Sequence, residues 1–299
     1  MGLIGIDVSK HNGHLDWDYL KECGVSFVLI RVGVGENIEK QDDPEARYNI
    51  DECKRLGIPW GAYIYSYGTS DSDGYDEAQH MLRVLDGDIP PLGCWTDQED
   101  SDINWLRTEH GLDLTDGTVD RIIANFSEEI LNTTENNIVG VYANHNWLTN
   151  YIDMNYIINQ LELPIWEAHY NSELCKCLDG TVIRQVNNNC EGVIDGIGGI
   201  DCNVVVDERF ERLITGITGE NDDKQSLSLE ELVINTLNGA YGYGEERLLN
   251  LGSRYDEVQT AINNSYTIAK TIIDMVDNCD YNMSYDILFK TIENLREEE

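Results

Sequence analysis

The sequence predicts an α/β fold built on a central, largely parallel sheet or barrel. Short apolar stretches typical of strands alternate with segments of helical periodicity from residue 3 to residue 206. Such alternation is typical of parallel strands joined by helices. At 299 residues, the chain is also long enough for one large domain and a second, smaller one.

The predicted elements follow one another in a regular order. Short apolar stretches indicate strands at Leu3–Val8, Phe27–Val32, Trp60–Tyr67, Gly93–Glu99, Ile138–Tyr142, Leu163–Ala168, Thr181–Val186 and Asp201–Val206. Apolar residues at helical spacing indicate helices at Asp16–Cys23, Pro44–Leu56, Tyr75–Leu85, Thr118–Leu131 and Met154–Leu161. Glycine and proline separate the elements: Gly57 closes the second helix, and Pro59 follows it.

The last connection breaks this alternation and reverses the predicted direction of the final strand. Residues 187–200 are rich in asparagine and glycine and show no helical periodicity. Without a crossover helix, a strand runs antiparallel to its predecessor. We therefore expect Asp201, the first residue of the final strand, to lie at the same end of the sheet as Asp7 and Glu99. A parallel strand would place Asp201 at the opposite end.

Two carboxylates stand one residue apart at the end of the fourth predicted strand. Because side chains alternate along a strand, Asp97 and Glu99 point to the same face, with Cα atoms about 6.5–7 Å apart. Hydrolysis of a glycosidic bond requires such a pair. One carboxyl donates a proton to the leaving oxygen, while the other stays ionised to stabilise or capture an oxocarbenium-like centre. The alternative is a pair of solvated acids in an acidic chain.

Functional side chains of parallel α/β folds gather at the carboxyl ends of the strands. Acids and tyrosines at or just after predicted strand ends are Asp7, Tyr67, Glu99, Tyr142 and Tyr170. Tyr63, Tyr65 and Tyr67 share one strand face, where their phenol ends suit a sugar groove, although at least one is expected to be core. Crowded carboxylates raise the pKa of at least one member by like-charge repulsion, which keeps a proton donor available near neutral pH.

The charge of the chain limits its partners. It carries 20 Lys and Arg residues against 56 Asp and Glu residues, a formal net charge of −36. Nucleic acid is therefore a poor partner, because binding it depends on neutralising phosphates. No stretch of 18 apolar residues occurs, so we expect no membrane insertion. The start of the chain lacks a basic and then apolar leader, so we expect synthesis in the cytoplasm without a signal peptide.

Motifs for several other kinds of chemistry are missing from the sequence. We find no His-Glu-x-x-His zinc motif, no Gly-x-Ser-x-Gly nucleophile elbow and no phosphate-binding glycine loop. We therefore expect neither a cofactor nor a metal ion.

Several spaced motifs resemble glycoside hydrolase family 25, the Chalaropsis-type lysozymes common among bacteriophage endolysins. The resemblance covers roughly residues 1–215 and keeps the order of the family. Its motifs are Gly5-Ile6-Asp7-Val8-Ser9, Asp16-Trp17, Tyr63-x-Tyr65-x-Tyr67, Asp97-x-Glu99, Val141-Tyr142-Ala143, Trp166-x-Ala168-x-Tyr170, Gln185 and Gly199-Ile200-Asp201-Cys202-Asn203.

The resemblance implies an irregular barrel with antiparallel last strands and cleavage of the β-1,4 bond between N-acetylmuramic acid and N-acetylglucosamine. It implies that Glu99 is the general acid and base and that Asp97 assists the reacting sugar. Asp97 is either a direct nucleophile or the group that holds the substrate's N-acetyl group during its attack. Asp7 and Asp201 match the remaining acids of the groove. The substrate-binding residues we predict are Tyr63, Tyr65, Tyr67, Tyr142, Trp166, Tyr170 and Gln185.

The remainder of the chain is predicted to be a linker at 216–228 and a small all-α domain at 229–299. Residues 229–264 resemble the type-7 cell-wall-binding repeat, which implies binding of bacterial peptidoglycan, with Arg247, Tyr255 and Gln259 as candidate contacts. The tail at 265–299 contains two amphipathic helical patterns. They either complete the helical bundle or join two copies of the chain, which would strengthen wall binding through avidity.

Two other functions are compatible with these residues. One is a non-catalytic wall-binding protein on a hydrolase barrel, which the complete set of acids disfavours. The other is a glycosidase of different bond specificity, such as a glucosaminidase. Release of reducing sugar from peptidoglycan, and the identity of the sugar at the new reducing end, distinguish these possibilities from a muramidase.

Overall fold

A computed structural model describes the chain in two compact units, Met1–Glu220 and Asn221–Glu299. The described residues are 3–100, 106–134, 138–170, 177–190 and 198–217 in the first unit, and 229, 232, 233, 236, 251, 254, 255 and 258–262 in the second. The division lies five residues beyond the predicted domain end at 215, and the predicted boundaries stay a prediction. Within the described residues, no helix is long and apolar enough to span a membrane.

The first unit is a closed barrel of eight strands within the described residues. They are β1 (Ile4–Val8), β2 (Phe27–Val34), β3 (Trp60–Tyr65), β4 (Cys94–Asp97), β5 (Val139–Asn144), β6 (Ile165–Ala168), β7 (Thr181–Asn187) and β8 (Asp201–Val205). Strands β1 to β7 are parallel to their neighbours, whereas β8 is antiparallel to both β7 and β1. The predicted α/β barrel and the reversal of its last strand are confirmed.

Helices connect the strands and cover the outside of the barrel. They are α1 (Trp17–Glu22), α2 (Ala46–Leu56), α3 (Asp73–Leu85), α4 (Thr118–Thr133), α5 (His145–Asn150), α6 (Met154–Asn159) and α7 (Glu208–Ile217). In α2, the buried residues Ala46, Asn49, Ile50 and Cys53 recur at spacings of three and four, which places them on one face. Gly57 adopts the left-handed conformation that ends this helix.

Two of these helices were not predicted from the sequence. Helix α5 spans only six residues, so it shows little periodicity, and the Asn144 side chain caps it by accepting a hydrogen bond from the Trp147 N–H. Helix α7 extends to Ile217, two residues into the predicted linker. Phe210 and Ile214 of α7 pack with the apolar side chains inside the barrel, which explains why the helix stays with the first unit.

Alternation along the strands separates two apolar layers. Phe27 and Leu29 of β2 and Trp95 of β4 belong to the layer inside the barrel. Val28 and Ile30, the intervening residues of β2, belong to the layer between strands and helices. All five side chains are fully buried. The inner layer fills the lower part of the barrel, so that only its upper end, where β1 to β7 finish, carries polar side chains. We call that end the mouth.

The inner layer depends on a close approach between Gly140 of β5 and Trp95. A Cβ atom on Gly140 would lie 2.3 Å from the indole ring and 2.9 Å from the carbonyl oxygen of Pro164. Neither the large ring nor the backbone can yield easily inside a packed barrel.

We predict that Gly140→Ala lowers the free energy of unfolding by about 1–3 kcal/mol, because the added methyl group overpacks the barrel interior. Urea denaturation measures this loss. The control is Gly216→Ala in α7, where nothing lies within 4 Å of the added Cβ. The control should be neutral or slightly stabilising, and an equally stable Gly140→Ala protein would contradict the packing described here.

Candidate active site

The structure brings Asp7, Asp97, Glu99 and Asp201 together at the mouth; we call them the acid cluster. Asp7 of β1 lies directly opposite Asp201 of β8 in the antiparallel ladder. Asp97 ends β4, and Glu99 follows two residues later. The charges of Glu99 and Asp7 both act on Asp97, which shows that the separate strands converge on one site. Reversal of β8 is what carries Asp201 to this end.

Asp7 is held in the wall of the barrel by two side-chain amides. Its Oδ2 accepts hydrogen bonds from Gln185 Nε2 at 2.9 Å and from Asn203 Nδ2 at 2.8 Å. Burial, followed by the charge of Asp201, raises the pKa of Asp7 to about 7, although the two amides oppose the shift. Asp7 therefore exchanges its proton near neutral pH.

Asp201 shares a proton with Asp7. Partial burial raises the pKa of Asp201, whereas the hydrogen bond to Asp7 lowers it. The same hydrogen bond raises the pKa of Asp7. Two carboxyl groups in contact cannot both ionise without penalty, so a single negative charge is distributed over this pair near neutral pH.

Asp97 lies deeper in the barrel, beside Tyr65 of β3 and Tyr142 of β5 in the strand register. Burial first, and then the charges of Glu99 and Asp7, raise the pKa of Asp97 well above its usual range. The guanidinium group of Arg31 opposes this shift without cancelling it. Among the described residues, the buried Oδ1 of Asp97 has no hydrogen-bond partner. Asp97 therefore holds its proton more tightly than an exposed aspartate does.

Glu99 lies just beyond the end of β4 and is only half-buried. Arg107 is fully buried and contacts two backbone segments near Glu99. The Arg107 Nη1 donates to the Glu99 carbonyl oxygen at 3.5 Å, and its Nε donates to the Gly68 carbonyl oxygen at 2.8 Å. Arg107 thereby ties the segment after β4 to the segment after β3, and this fixes the position of Glu99 at the rim.

The buried Glu77 of α3 supports the same region. Its Oε1 accepts hydrogen bonds from the Ser66 hydroxyl, the Tyr67 N–H and the Gly68 N–H at 2.8–3.0 Å. Burial raises the pKa of Glu77 to about 7 against the opposing charge of Arg107. The same burial lowers the pKa of Arg107, while the charge of Glu77 opposes that change. Glu77 and Arg107 therefore influence each other electrostatically in the protein interior near Glu99.

Gln185 connects the acid cluster to two tyrosines. Its Oε1 accepts hydrogen bonds from the hydroxyls of Tyr142 at 3.0 Å and Tyr170 at 2.7 Å. Its Nε2 donates to Asp7, so that one amide sets the orientation of three side chains. Tyr170 is 55% exposed, which leaves its ring accessible at the mouth. Burial and the nearby acids raise the pKa of both phenols, so both remain hydroxyl donors.

The other predicted sugar contacts occupy different positions. Tyr63 is buried among the acids, and its ring packs edge-on against Trp166. Tyr65 and Tyr67 also pack edge-on, with Tyr67 just beyond the end of β3. Trp166 is only 1% exposed, and its Nε1 donates to Asn203 Oδ1 at 2.8 Å. Trp166 therefore packs against Tyr63 and Tyr142 inside the barrel, and its role as a sugar contact stays a prediction.

Sequence reasoning missed two buried cations and one amide of the site. Arg31 alternates with Phe27 and Leu29 on the inner face of β2, so it lies inside the barrel, where Asp43 accepts a hydrogen bond from its Nε. The alternation of inward-facing residues along β2 is the sequence signal that would have identified Arg31 as an interior residue. Asn203 shares a face of β8 with Asp201, which is a comparable signal, whereas no strand pattern places Arg107.

A second polar cluster lies outside the acid cluster. His145, Glu167 and His169, which we call the histidine cluster, offer ligand atoms within 4.8 Å of one another. Burial by itself raises the pKa of Glu167, but hydrogen bonds from His145, the Leu178 N–H and Thr181 outweigh it and hold this pKa below the usual range. Glu167 is therefore ionised at neutral pH.

The predicted wall-binding residues belong to the second unit. Leu232, Leu251 and Val258 form a small apolar core there, and Tyr255 packs against it. Gln259 is half-buried on the helical segment 258–262. Arg247 and the whole tail at 265–299 lie outside the described residues.

Comparison with known proteins connects these observations to a family. Residues 6–185 match the model of Glycosyl hydrolases family 25. Residues 230–265 match the CW_7 repeat. The two matches correspond to the regions in which the sequence resembles a lysozyme and a wall-binding repeat.

Solved structures share the fold of the barrel at low sequence identity. The modular autolysin LytC from Streptococcus pneumoniae is 23% identical, with a TM-score of 0.58 over 69% of this chain and 47% of that one. The bacterial lysozyme from Streptomyces coelicolor is 22% identical, with a TM-score of 0.57 over 73% of this chain and 99% of that one. The CTP1L endolysin is 20% identical, with a TM-score of 0.53 over 71% and 69%.

The chain thus spans about half of LytC, 47% of its length. Among curated proteins, none matches the sequence.

The pKa of Asp7 predicts a pH-dependent stability. The pKa of Asp7 rises from 3.8 to about 7 on folding. In the pH window between these two values, the folded protein therefore keeps a proton that the unfolded chain has released. Stability therefore falls as pH rises through the window. We predict that Asp7→Asn, which mimics the protonated carboxyl, raises the free energy of unfolding by about 1–3 kcal/mol above pH 7.5 and changes it little near pH 4.

Urea denaturation at both pH values measures this difference. The control is Asp51→Asn, because the Asp51 side chain is 61% exposed. The control should show no comparable gain at the higher pH. An equal effect of Asp7→Asn at both pH values would contradict the pKa shift.

Proposed function

The chain belongs to family 25 of the glycosyl hydrolases, and from this membership we propose that it is a muramidase. In this proposal it cleaves the β-1,4 bond between N-acetylmuramic acid and N-acetylglucosamine in bacterial peptidoglycan. The observation that carries the proposal is the acid cluster, in which carboxyl groups with different proton affinities face one mouth. Glycosidic hydrolysis requires a protonated acid and an anionic partner at the same sugar.

Glu99 is assigned the role of general acid and then general base. Two features support this assignment. Glu99 is the half-buried member of the cluster just beyond the end of β4, where a glycosidic oxygen can approach it. Its backbone is also held by the buried Arg107, which keeps the side chain in a defined position. Positioned proton donors contribute about 10²–10⁴-fold to such reactions.

Asp97 is assigned to the reacting sugar. Direct attack by Asp97 is one route, but its buried Oδ1, which has no hydrogen-bond partner among the described residues, favours a group that hydrogen-bonds the substrate's N-acetyl group. The N-acetyl oxygen then attacks the anomeric carbon as the leaving oxygen takes the proton of Glu99. Asp7 and Asp201, with one negative charge between them, stabilise the positive charge that develops on the sugar ring.

The aromatic residues at the mouth are assigned to sugar binding. Tyr170 offers an exposed ring, and Gln185 holds both its hydroxyl and that of Tyr142. Aromatic faces pack against the apolar faces of sugars, while their hydroxyls and amides fix orientation. Tyr63, Tyr65 and Tyr67 complete the proposed groove on the side of β3.

We assign wall attachment to the second unit through its CW_7 repeat at 230–265. With a net charge of −36, the chain gains no general attraction to an anionic wall, so attachment depends on local contacts. A hydrolase barrel joined to a wall-binding repeat suits an enzyme that acts on the wall of a bacterial host, as an endolysin does. Association of two chains through residues 265–299 would increase attachment by avidity.

We predict that Glu99→Gln folds normally but loses about 10²–10⁴-fold in peptidoglycan hydrolysis, because the amide cannot donate and recover the proton. Release of reducing ends from purified peptidoglycan measures activity. Borohydride reduction followed by mass spectrometry identifies the terminal sugar, which should be reduced N-acetylmuramic acid.

The control is Glu109→Gln, the same substitution at an exposed glutamate, which should leave turnover unchanged. Near-normal turnover of Glu99→Gln would remove Glu99 from the proposed role. Reduced N-acetylglucosamine would identify a glucosaminidase. If the parent protein releases no reducing ends from peptidoglycan, it is a wall-binding protein without catalytic activity.

We predict that Arg247→Ala and Gln259→Ala together weaken binding of the whole chain to insoluble peptidoglycan by about tenfold, or ~1.4 kcal/mol. Hydrolysis of short soluble fragments should not change, because the acid cluster belongs to the other unit. Co-sedimentation at increasing peptidoglycan measures binding. The control is Arg212→Ala on α7, and equal loss in both proteins would point to general charge effects.

A further inference from the structure

The histidine cluster lies near the mouth but outside the barrel interior. Trp166 and Ala168 of β6 face the inner apolar layer, so Glu167 between them faces outward. His145 is the first residue of α5, directly after β5, and His169 directly follows β6. The connections that follow β5 and β6 therefore each place one histidine next to the buried carboxylate of Glu167, outside the acid cluster.

Both imidazole rings direct the same nitrogen at the same oxygen. His145 Nδ1 lies 2.6 Å and His169 Nδ1 lies 3.2 Å from Glu167 Oε1. The rings are stacked with centroids 4.1 Å apart. Around a tetrahedral metal ion with bonds of about 2.0–2.2 Å, ligand atoms lie roughly 3.3–3.6 Å apart. A small outward movement of the rings is enough to reach that spacing.

The rest of the cluster is already organised around this geometry. Glu167 Oε2 accepts hydrogen bonds from the Leu178 N–H at 3.1 Å and the Thr181 hydroxyl at 3.2 Å. These bonds orient the carboxylate and leave Oε1 directed at both imidazoles. The His169 carbonyl oxygen accepts two hydrogen bonds from the buried Arg184, at 3.0 and 2.8 Å. Such outer contacts are how proteins fix metal ligands before the ion binds.

We propose that His145, Glu167 and His169 bind a divalent transition-metal ion of the zinc class. Two imidazole nitrogens and one carboxylate oxygen suit zinc and its neighbours, whereas magnesium and calcium prefer oxygen ligands alone. The side chains of His145 and His169 are 37% and 23% exposed, so the ion has an entry path and room for a water ligand. The bound ion joins the start of α5 to the end of β6.

The site has a connection to the mouth through one residue. Tyr170 follows His169 in the chain and donates its hydroxyl to Gln185, which in turn holds Asp7. Fixing His169 on a metal ion therefore also restricts the exposed Tyr170 at the proposed groove. The ion serves as a brace for this wall of the mouth and takes no part in bond cleavage.

Zinc binding to the full-length protein tests the proposal. The protein is first stripped with a chelator, and isothermal titration with zinc chloride is carried out in excess magnesium, which occupies weak carboxylate sites. We expect one zinc ion per chain with a micromolar or lower Kd and a rise in Tm. Cobalt bound at the same site should show the visible absorption of a low-coordinate ion.

Histidine variants locate the binding. His145→Gln and His169→Gln should each weaken zinc binding by at least about tenfold. The matched control is His14→Gln, because His14 also pairs with a carboxylate, Glu45, but belongs to no group of three potential metal ligands among the described residues. Histidine substitutions are preferred because Glu167 is fully buried and its replacement threatens folding. Absence of saturable zinc binding, or binding unchanged in the double histidine variant, would overturn the proposal.

Discussion

Crowding of carboxyl groups in the mouth of a closed barrel is the constraint on which the site depends. Side chains taken from three strands share a space from which water is largely excluded, so they cannot all be ionised. Burial and mutual repulsion raise the pKa of Asp7 to about 7 and shift the pKa values of Asp97 and Asp201 upward as well. The barrel thereby produces acids of different strength from residues of nearly identical chemistry.

Buried cations and amides make this crowding tolerable. Arg31 and Arg107 lie in the protein interior next to the acids, where their charges offset part of the repulsion on Asp97. Gln185 and Asn203 both donate to one oxygen of Asp7, which fixes its orientation and stabilises its anion. An uncompensated buried charge would cost several kcal/mol. The polar residues around the acids are therefore as important to the fold as to the proposed chemistry.

Closure of the barrel determines which residues can meet. Because β8 runs antiparallel to both of its neighbours, its first residue reaches the mouth, and Asp201 faces Asp7 across the ladder. The faces of a single strand also separate two functions. On β6, Trp166 supports the tyrosines inside the barrel, while Glu167 next to it holds two histidines outside. Trp166 and Glu167 are neighbours in the chain, yet they face opposite sides of the barrel wall.

The sequence by itself determined the order of the elements, the reversal of the last strand and the position of the acids at strand ends, since periodicity and turn residues are local properties. It did not predict α5, because six residues carry too little periodicity. It also did not indicate that Trp166 is buried, because a sequence motif contains no information on depth. Only the tertiary structure decided that Arg107 contacts the Glu99 backbone, that Asn203 donates to Asp7, and that two histidines share Glu167. These facts depend on contacts between residues distant in the chain, which no local pattern specifies.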